Sequence, residues 1–100
     1  MNKFSEKRTG DITEITACNL LLKEGYEVFR NLCCTGAVDI VAIKDNKVYL
    51  IDVKTPNIYK GKFTHEKFYY SKLTPIQKEL GVILLGVYKN KLHWKESDDE

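Results

Sequence analysis

Two carboxylates and an ammonium interrupt strands that are otherwise apolar. Asp39 sits in AVDIVAIK, residues 37–44, and Asp52 and Lys54 sit in KVYLIDVK, residues 47–54. Asp45-Asn46 lies between the two runs, and both residues tolerate the positive φ of a tight hairpin turn. A two-residue turn there pairs Lys44 with Lys47, Ile43 with Val48, Val41 with Leu50 and Asp39 with Asp52. Residues directly opposite have Cβ atoms roughly 4.5–5.5 Å apart on one face, where like charges repel. Lys54 lies two residues on, on that same face. A divalent cation resolves the repulsion. Mg²⁺ takes oxygen ligands and commonly uses one or two carboxylates, with waters and phosphate oxygens completing its shell.

The first helix supplies a third carboxylate. Advancing about 100° per residue gathers Ile15, Ala17, Cys18, Leu21 and Leu22 on one arc, and Glu14 falls in the middle of it. A helix packed on the sheet by that arc carries Glu14 toward Asp39 and Asp52. The competing reading is a structural salt bridge: Lys54 neutralises Asp52, Asp39 accepts from a backbone amide, and Glu14 stays at the rim. That reading leaves two negative charges beyond what one lysine balances, and burying an unbalanced charge costs several kcal/mol or more.

Around these residues the pattern gives a helix over about 11–24, closed by Gly25, then a strand at 26–30. The two apolar strands follow. Residues 57–72, NIYKGKFTHEKFYYSK, read as a long loop with room for a short strand. Thr74-Pro75 starts a second helix ending at Gly81, and VILLGVY and KLHWK add two strands. Helix, three strands, helix, two strands make an α/β fold with a mixed central sheet of about five strands, helices covering both faces.

The chain has 100 residues, 43% apolar and 30% charged, which fits one soluble domain over 1–95. Residues 1–9 read as a mobile basic arm and 96–100, ESDDE, as a disordered acidic tail. The net charge is +2. Setting aside Glu96, Asp98, Asp99 and Glu100 leaves a body of about +6, which suits a nucleic-acid partner. No apolar run approaches the roughly 20 residues of a membrane span, and the first residues lack a signal-peptide core. A cytoplasmic protein is expected, without membrane or small-molecule cofactor. Cys18, Cys33 and Cys34 lack CxxC spacing and read as reduced thiols rather than a zinc site.

Gly36-x-x-Asp39 followed by Asp52-x-Lys54, with Glu14 on the helix before, resembles the PD-(D/E)XK nuclease signature. More narrowly, Lys7-Arg8, Gly10, Glu14, Arg30, Asp39, Asp52, Lys54 and Gln77 occur in an order similar to archaeal-type Holliday junction resolvases, which also occur in phages. Val38 stands where that family usually has proline, and Asp52 where resolvases usually have glutamate. The resemblance spans roughly residues 7–88. It implies a restriction-endonuclease-like core and a Mg²⁺-dependent, structure-selective endodeoxyribonuclease of phage or prokaryotic origin. It would act in recombination or repair, cutting four-way junctions as a homodimer, with Mn²⁺ able to substitute.

On that resemblance Asp39, Asp52 and the backbone carbonyl of Val53 hold the metal. Glu14 contributes directly, through water, or to a second ion. Lys54 positions the attacking water or stabilises charge on the phosphate, and Gln77 orients phosphate or water. Lys7, Arg8, Arg30, Lys60, Lys62, Lys67 and Lys72 contact DNA phosphates, and Phe63, Phe68, Tyr69 and Tyr70 stack on unpaired bases or pack on the body. The alternatives are another PD-(D/E)XK endonuclease for nicking or repair, a DNA-binding module that does not cut, and an interaction domain whose polar cluster is structural.

Overall fold

A computed structural model describes residues 10–33, 35–55 and 72–95, and the backbone of 6–9, 57–59 and 67–69. Helix α1 runs Glu6–Lys23. It starts five residues before the expected Asp11 and carries Gly10 in its interior, where glycine costs about 1 kcal/mol relative to alanine. Residues 6–9 are thus helical where an arm was expected. At its end the Tyr26 amide donates to the Leu21 carbonyl and Gly25 adopts φ 93°. This left-handed turn satisfies the last carbonyls.

Strands β1 (Glu27–Arg30), β2 (Ile40–Lys44) and β3 (Lys47–Lys54) form an antiparallel meander. Asp45 and Asn46 take φ 53° and 65° at the turn, which sets the register Lys44↔Lys47 through Ile40↔Ile51 as expected. Beyond β3 lie β4 (Asn57–Tyr59) and β5 (Lys67–Tyr69), a separate two-stranded ribbon within the segment expected to be mostly loop. Helix α2 (Pro75–Leu80) leads into β6 (Ile83–Tyr88), which joins β3 in parallel. Lys89 and Asn90, both at positive φ, turn the chain into β7 (Lys91–Trp94). The main sheet has the order β1-β2-β3-β6-β7.

Alternation along the strands sends Ile40, Ala42, Ile51, Val53 and Leu85 to one face, where they pack with Ala17 and Leu21 of α1. Each large side chain fully removed from water there contributes roughly 1.5–3 kcal/mol. Tyr26, Tyr49 and Trp94 close the end of this core with ring centroids 5.7–6.1 Å apart. The buried stripe of α1 is narrower than its apolar arc: Ile15 and Leu22 are exposed. Cover on both faces was expected. α1 covers one face; on the other, Asp52 and Leu84 are buried while Val48 is 62% and Phe29 49% exposed.

Candidate active site

The β2–β3 hairpin brings Asp39 and Asp52 together where its ladder ends. Asp39 stands one residue before β2, its amide donating to the Ile51 carbonyl at 2.8 Å. Its carboxylate Oδ2 accepts from the Val53 amide at 2.8 Å, in place of the next ladder bond. Within a strand a residue's N–H and C=O point to the same side, so the Val53 carbonyl also faces the Asp39 side. Asp52 is 8% exposed and Lys54 Nζ lies 3.6 Å from its Oδ2. A hollow of about 250 Å³ beside Asp39, walled in part by Phe29, Asn31 and Val41, opens to solvent.

Electrostatics mark the pair. The Asp39 pKa is raised from 3.8 to about 7, with burial the largest cause. A hydrogen bond between the two carboxyls and the negative charges of Asp52 and Glu14 contribute to that rise, against the opposing effect of the Val53 amide. Without a cation the pair therefore holds a proton near neutral pH. Two convergent carboxylates with a backbone carbonyl on the same side are the hard oxygen donors a Mg²⁺ or Mn²⁺ ion takes, so these residues fit such an ion. Among the described residues no group of three or more His, Cys, Asp or Glu side chains is arranged to hold a metal.

This proton makes stability pH-dependent. Below about pH 4 Asp39 is protonated in both folded and unfolded chains. Between about 4 and about 7 the folded chain keeps a proton that the unfolded chain loses, so stability falls as pH rises. Discounted for its partial exposure, the loss is on the order of 1–2 kcal/mol, a drop in Tm of about 5–10 °C. Thermal unfolding in chelator from pH 4.5 to 8 measures it. Adding Mn²⁺ at pH 8 should recover the loss.

The third acid is engaged elsewhere. Glu14 faces the sheet as expected, with its side chain 15% exposed, and its Oε1 accepts from Arg30 Nε at 3.0 Å. Arg30 also lies 3.6 Å from Asp11. Arg30 therefore ties β1 to α1. Glu14 adds negative charge near Asp39 without joining the pair. Next to it, Thr13 and Thr55 meet Oγ1 to Oγ1 at 2.9 Å and fasten α1 to the end of β3.

Gln77, expected to orient phosphate or water, is 7% exposed. Its Oε1 accepts from the Thr74 amide at 3.0 Å, while its own amide donates to Thr74 Oγ1. This capping box starts α2. Its Nε2 donates to the Ala37 carbonyl at 2.9 Å. The side chain is bound to protein at both ends, so it shapes the site from behind. Lys72 is exposed. Lys60, Lys62, Phe63 and Tyr70 lie outside the described residues, as do the side chains of Lys7, Arg8, Lys67, Phe68 and Tyr69. Burial raises the Cys18 thiol pKa and keeps it protonated. Cys33 is exposed and free, and Cys34 lies outside the described residues.

Sequence reasoning missed Asn31. It follows Arg30 and opens the Asn-Leu-Cys-Cys-Thr-Gly connection, where asparagine commonly bonds nearby backbone. That signal was present without indicating which carbonyls the side chain would take.

The model of the nuclease-related domain (NERD) family matches residues 3–93. A UPF0102 protein of Caldicellulosiruptor bescii is 32% identical over 74 residues, covering 72% of this chain and 62% of that protein. A UPF0102 protein of Caldanaerobacter subterraneus subsp. tengcongensis is 32% identical over 57 residues, covering 55% of this chain and 47% of that one. The matched regions thus span about half to three fifths of these relatives' lengths. Among solved structures, the bacterial homing endonuclease I-Ssp6803I superposes with a TM-score of 0.63 at 18% identity, covering 93% of this chain and 66% of that one. That likeness establishes a common fold. No helix among the described residues is long and apolar enough to cross a membrane.

Proposed function

The chain belongs to the nuclease-related domain family, within the PD-(D/E)XK nuclease superfamily, and from that premise we propose that it is a metal-dependent endodeoxyribonuclease selective for branched DNA. The observation that carries the reading is the Asp39–Asp52 pair at the end of a sheet hairpin, with Lys54 beside it. A divalent cation held there would supply Lewis-acid polarisation of the phosphate and a water of lowered pKa. Asp39, Asp52 and the Val53 carbonyl hold that cation. Lys54 aims its ammonium at charge developing on the phosphate or at the attacking water. Glu14, fixed by Arg30, sets the field around Asp39 from α1.

Junction selectivity rests on the order of Gly10, Glu14, Arg30, Asp39, Asp52, Lys54 and Gln77, similar to that of the resolvases. Two symmetric cuts call for a two-fold dimer. The test is a matched panel of labelled four-way junction and linear duplex with Mg²⁺. Paired cuts confined to the junction support the reading. Equal cutting of both leaves a nuclease of another kind, the reading that a fold shared with a homing endonuclease favours. A monomer with full junction activity would also reject the dimer.

Lys7, Arg8, Lys60, Lys62, Lys67 and Lys72 remain the proposed phosphate contacts. If all six engage duplex DNA, log K falls with log salt with a slope of about −5. Binding measured in chelator between 50 and 200 mM salt checks this, and a slope near zero removes them from the interface. Glu14→Gln should lower the cutting rate by about 10–100-fold, as expected for a group acting around the metal ligands. A loss as complete as that of an Asp52 variant would make Glu14 a direct ligand.

A further inference from the structure

Three consecutive carbonyls lead into the first metal-site residue, and each is gripped. The Ala37 carbonyl accepts from Gln77 Nε2 at 2.9 Å. The Val38 carbonyl accepts from Asn31 Nδ2 at 2.9 Å, and the Asp39 carbonyl accepts from the Asn31 amide at 2.8 Å. The other hydrogen of Asn31 Nδ2 goes to the Thr35 carbonyl at 2.6 Å, and its Oδ1 accepts from the Cys33 amide at 3.0 Å. Both donors and the acceptor of one carboxamide are thus spent on the turn between β1 and β2.

We propose that Asn31 and Gln77 are positioning residues that hold the Ala37–Asp39 backbone, and through it the Asp39 carboxylate, where it can receive a divalent cation. Neither residue touches the reacting atoms. Residues 31–33 and 35–39 lie outside the helices and strands, and Gly36 among them sits at φ 106°. Backbone bonds fix the segment at Asp39, and the side-chain donors of Asn31 and Gln77 hold the Val38 and Ala37 carbonyls against the repulsion of two crowded carboxylates. The grip comes from two sides: Asn31 follows the edge strand β1, and Gln77 sits in α2 on the crossover toward β6. Either one lost leaves Asp39 with fewer restraints while the hairpin register, set at Asp45-Asn46, survives.

The inference rests on the metal reading above, and its test separates the two. Asn31→Asp keeps the acceptor for Cys33 and removes both donors. Gln77→Glu keeps the capping box, for which glutamate is well suited, and removes only the donor to Ala37. The Val53 amide, donated to Asp39 Oδ2, reports the carboxylate's position without any metal. In chelator, its hydrogen exchange should quicken by about tenfold in each variant while that of Leu85 in β6 holds. Mn²⁺ affinity, read by titration calorimetry on the full chain, should weaken by about 10–100-fold. Excess Mn²⁺ should then restore cutting, which a merely misfolded variant would not allow.

Unchanged Val53 exchange with unchanged Mn²⁺ affinity overturns the positioning role and leaves the metal reading standing. A wild-type chain that takes up no Mn²⁺ overturns the metal reading and the proposal with it. If Asn31→Asp fails to fold, Gln77→Glu carries the test alone, since its helix start is preserved.

Discussion

Asp39→Asn should abolish metal-dependent DNA cutting, by at least about 10³-fold, and at the same time stabilise the metal-free protein near neutral pH. The first effect follows from the donor set. Two carboxylates and one carbonyl are the hard donors gathered at the hairpin's end, and losing one charge removes much of the attraction for a divalent cation. The second follows from the same crowding read in the opposite direction. Asp39 holds its proton up to about pH 7 because it is buried and faces Asp52. Asparagine has nearly the same shape, can still accept from Val53, and can donate to Asp52 where the carboxyl proton did. Its Tm should therefore be nearly flat between pH 4.5 and 8, where that of the wild type falls. A variant that loses activity because it unfolds shows the opposite sign in the melting curve. That contrast separates a catalytic loss from a structural one.

Lys54→Met should lower the cutting rate by about 10²–10³-fold while leaving Mn²⁺ binding intact or slightly tighter. Its ammonium stands 3.6 Å from Asp52 with the side chain 39% exposed, close enough to act on a phosphate at the site and accessible to it. A preorganised charge aimed at the transition state is worth an effect of that size. It is not a metal ligand, and removing a cation beside the two carboxylates makes the site more negative. Were Lys54 only the partner of a buried salt bridge, the substitution would cost stability, the melting temperature would drop, and any cutting rate per folded molecule would stay the same. Single-turnover rates and calorimetry on the same preparation distinguish the two cases.

What could be read from the residues depended on how far apart in the chain the partners lie. The hairpin is local, and Asp45-Asn46 with its flanking alternation was enough to give the register and the meeting of Asp39 with Asp52. Glu14 was legible as a charge in the middle of an apolar helical arc. The roles of Arg30 and Gln77 were not, because each is decided by a partner from another element. Arg30, expected to contact DNA, also meets Glu14 and Asp11 of α1. Gln77 was read as orienting phosphate or water, and its donor is spent on Ala37, 40 positions away. The start of α1 was misplaced for a local reason: Asp11 is a residue type that caps helices, yet the helix begins at Glu6 and passes through Gly10.

The claim at the centre of this account is that the Asp39–Asp52 pair works as a metal-dependent phosphodiester-cleaving centre. The direct measurement incubates the full chain with labelled four-way junction and linear duplex, in Mg²⁺ and in chelator, beside Asp52→Asn. Cuts are expected with Mg²⁺, with none in chelator and none in the variant. Cutting that persists in chelator or in Asp52→Asn, or a folded wild-type protein that leaves both DNAs whole in Mg²⁺, would contradict it and return the carboxylate pair to a structural role.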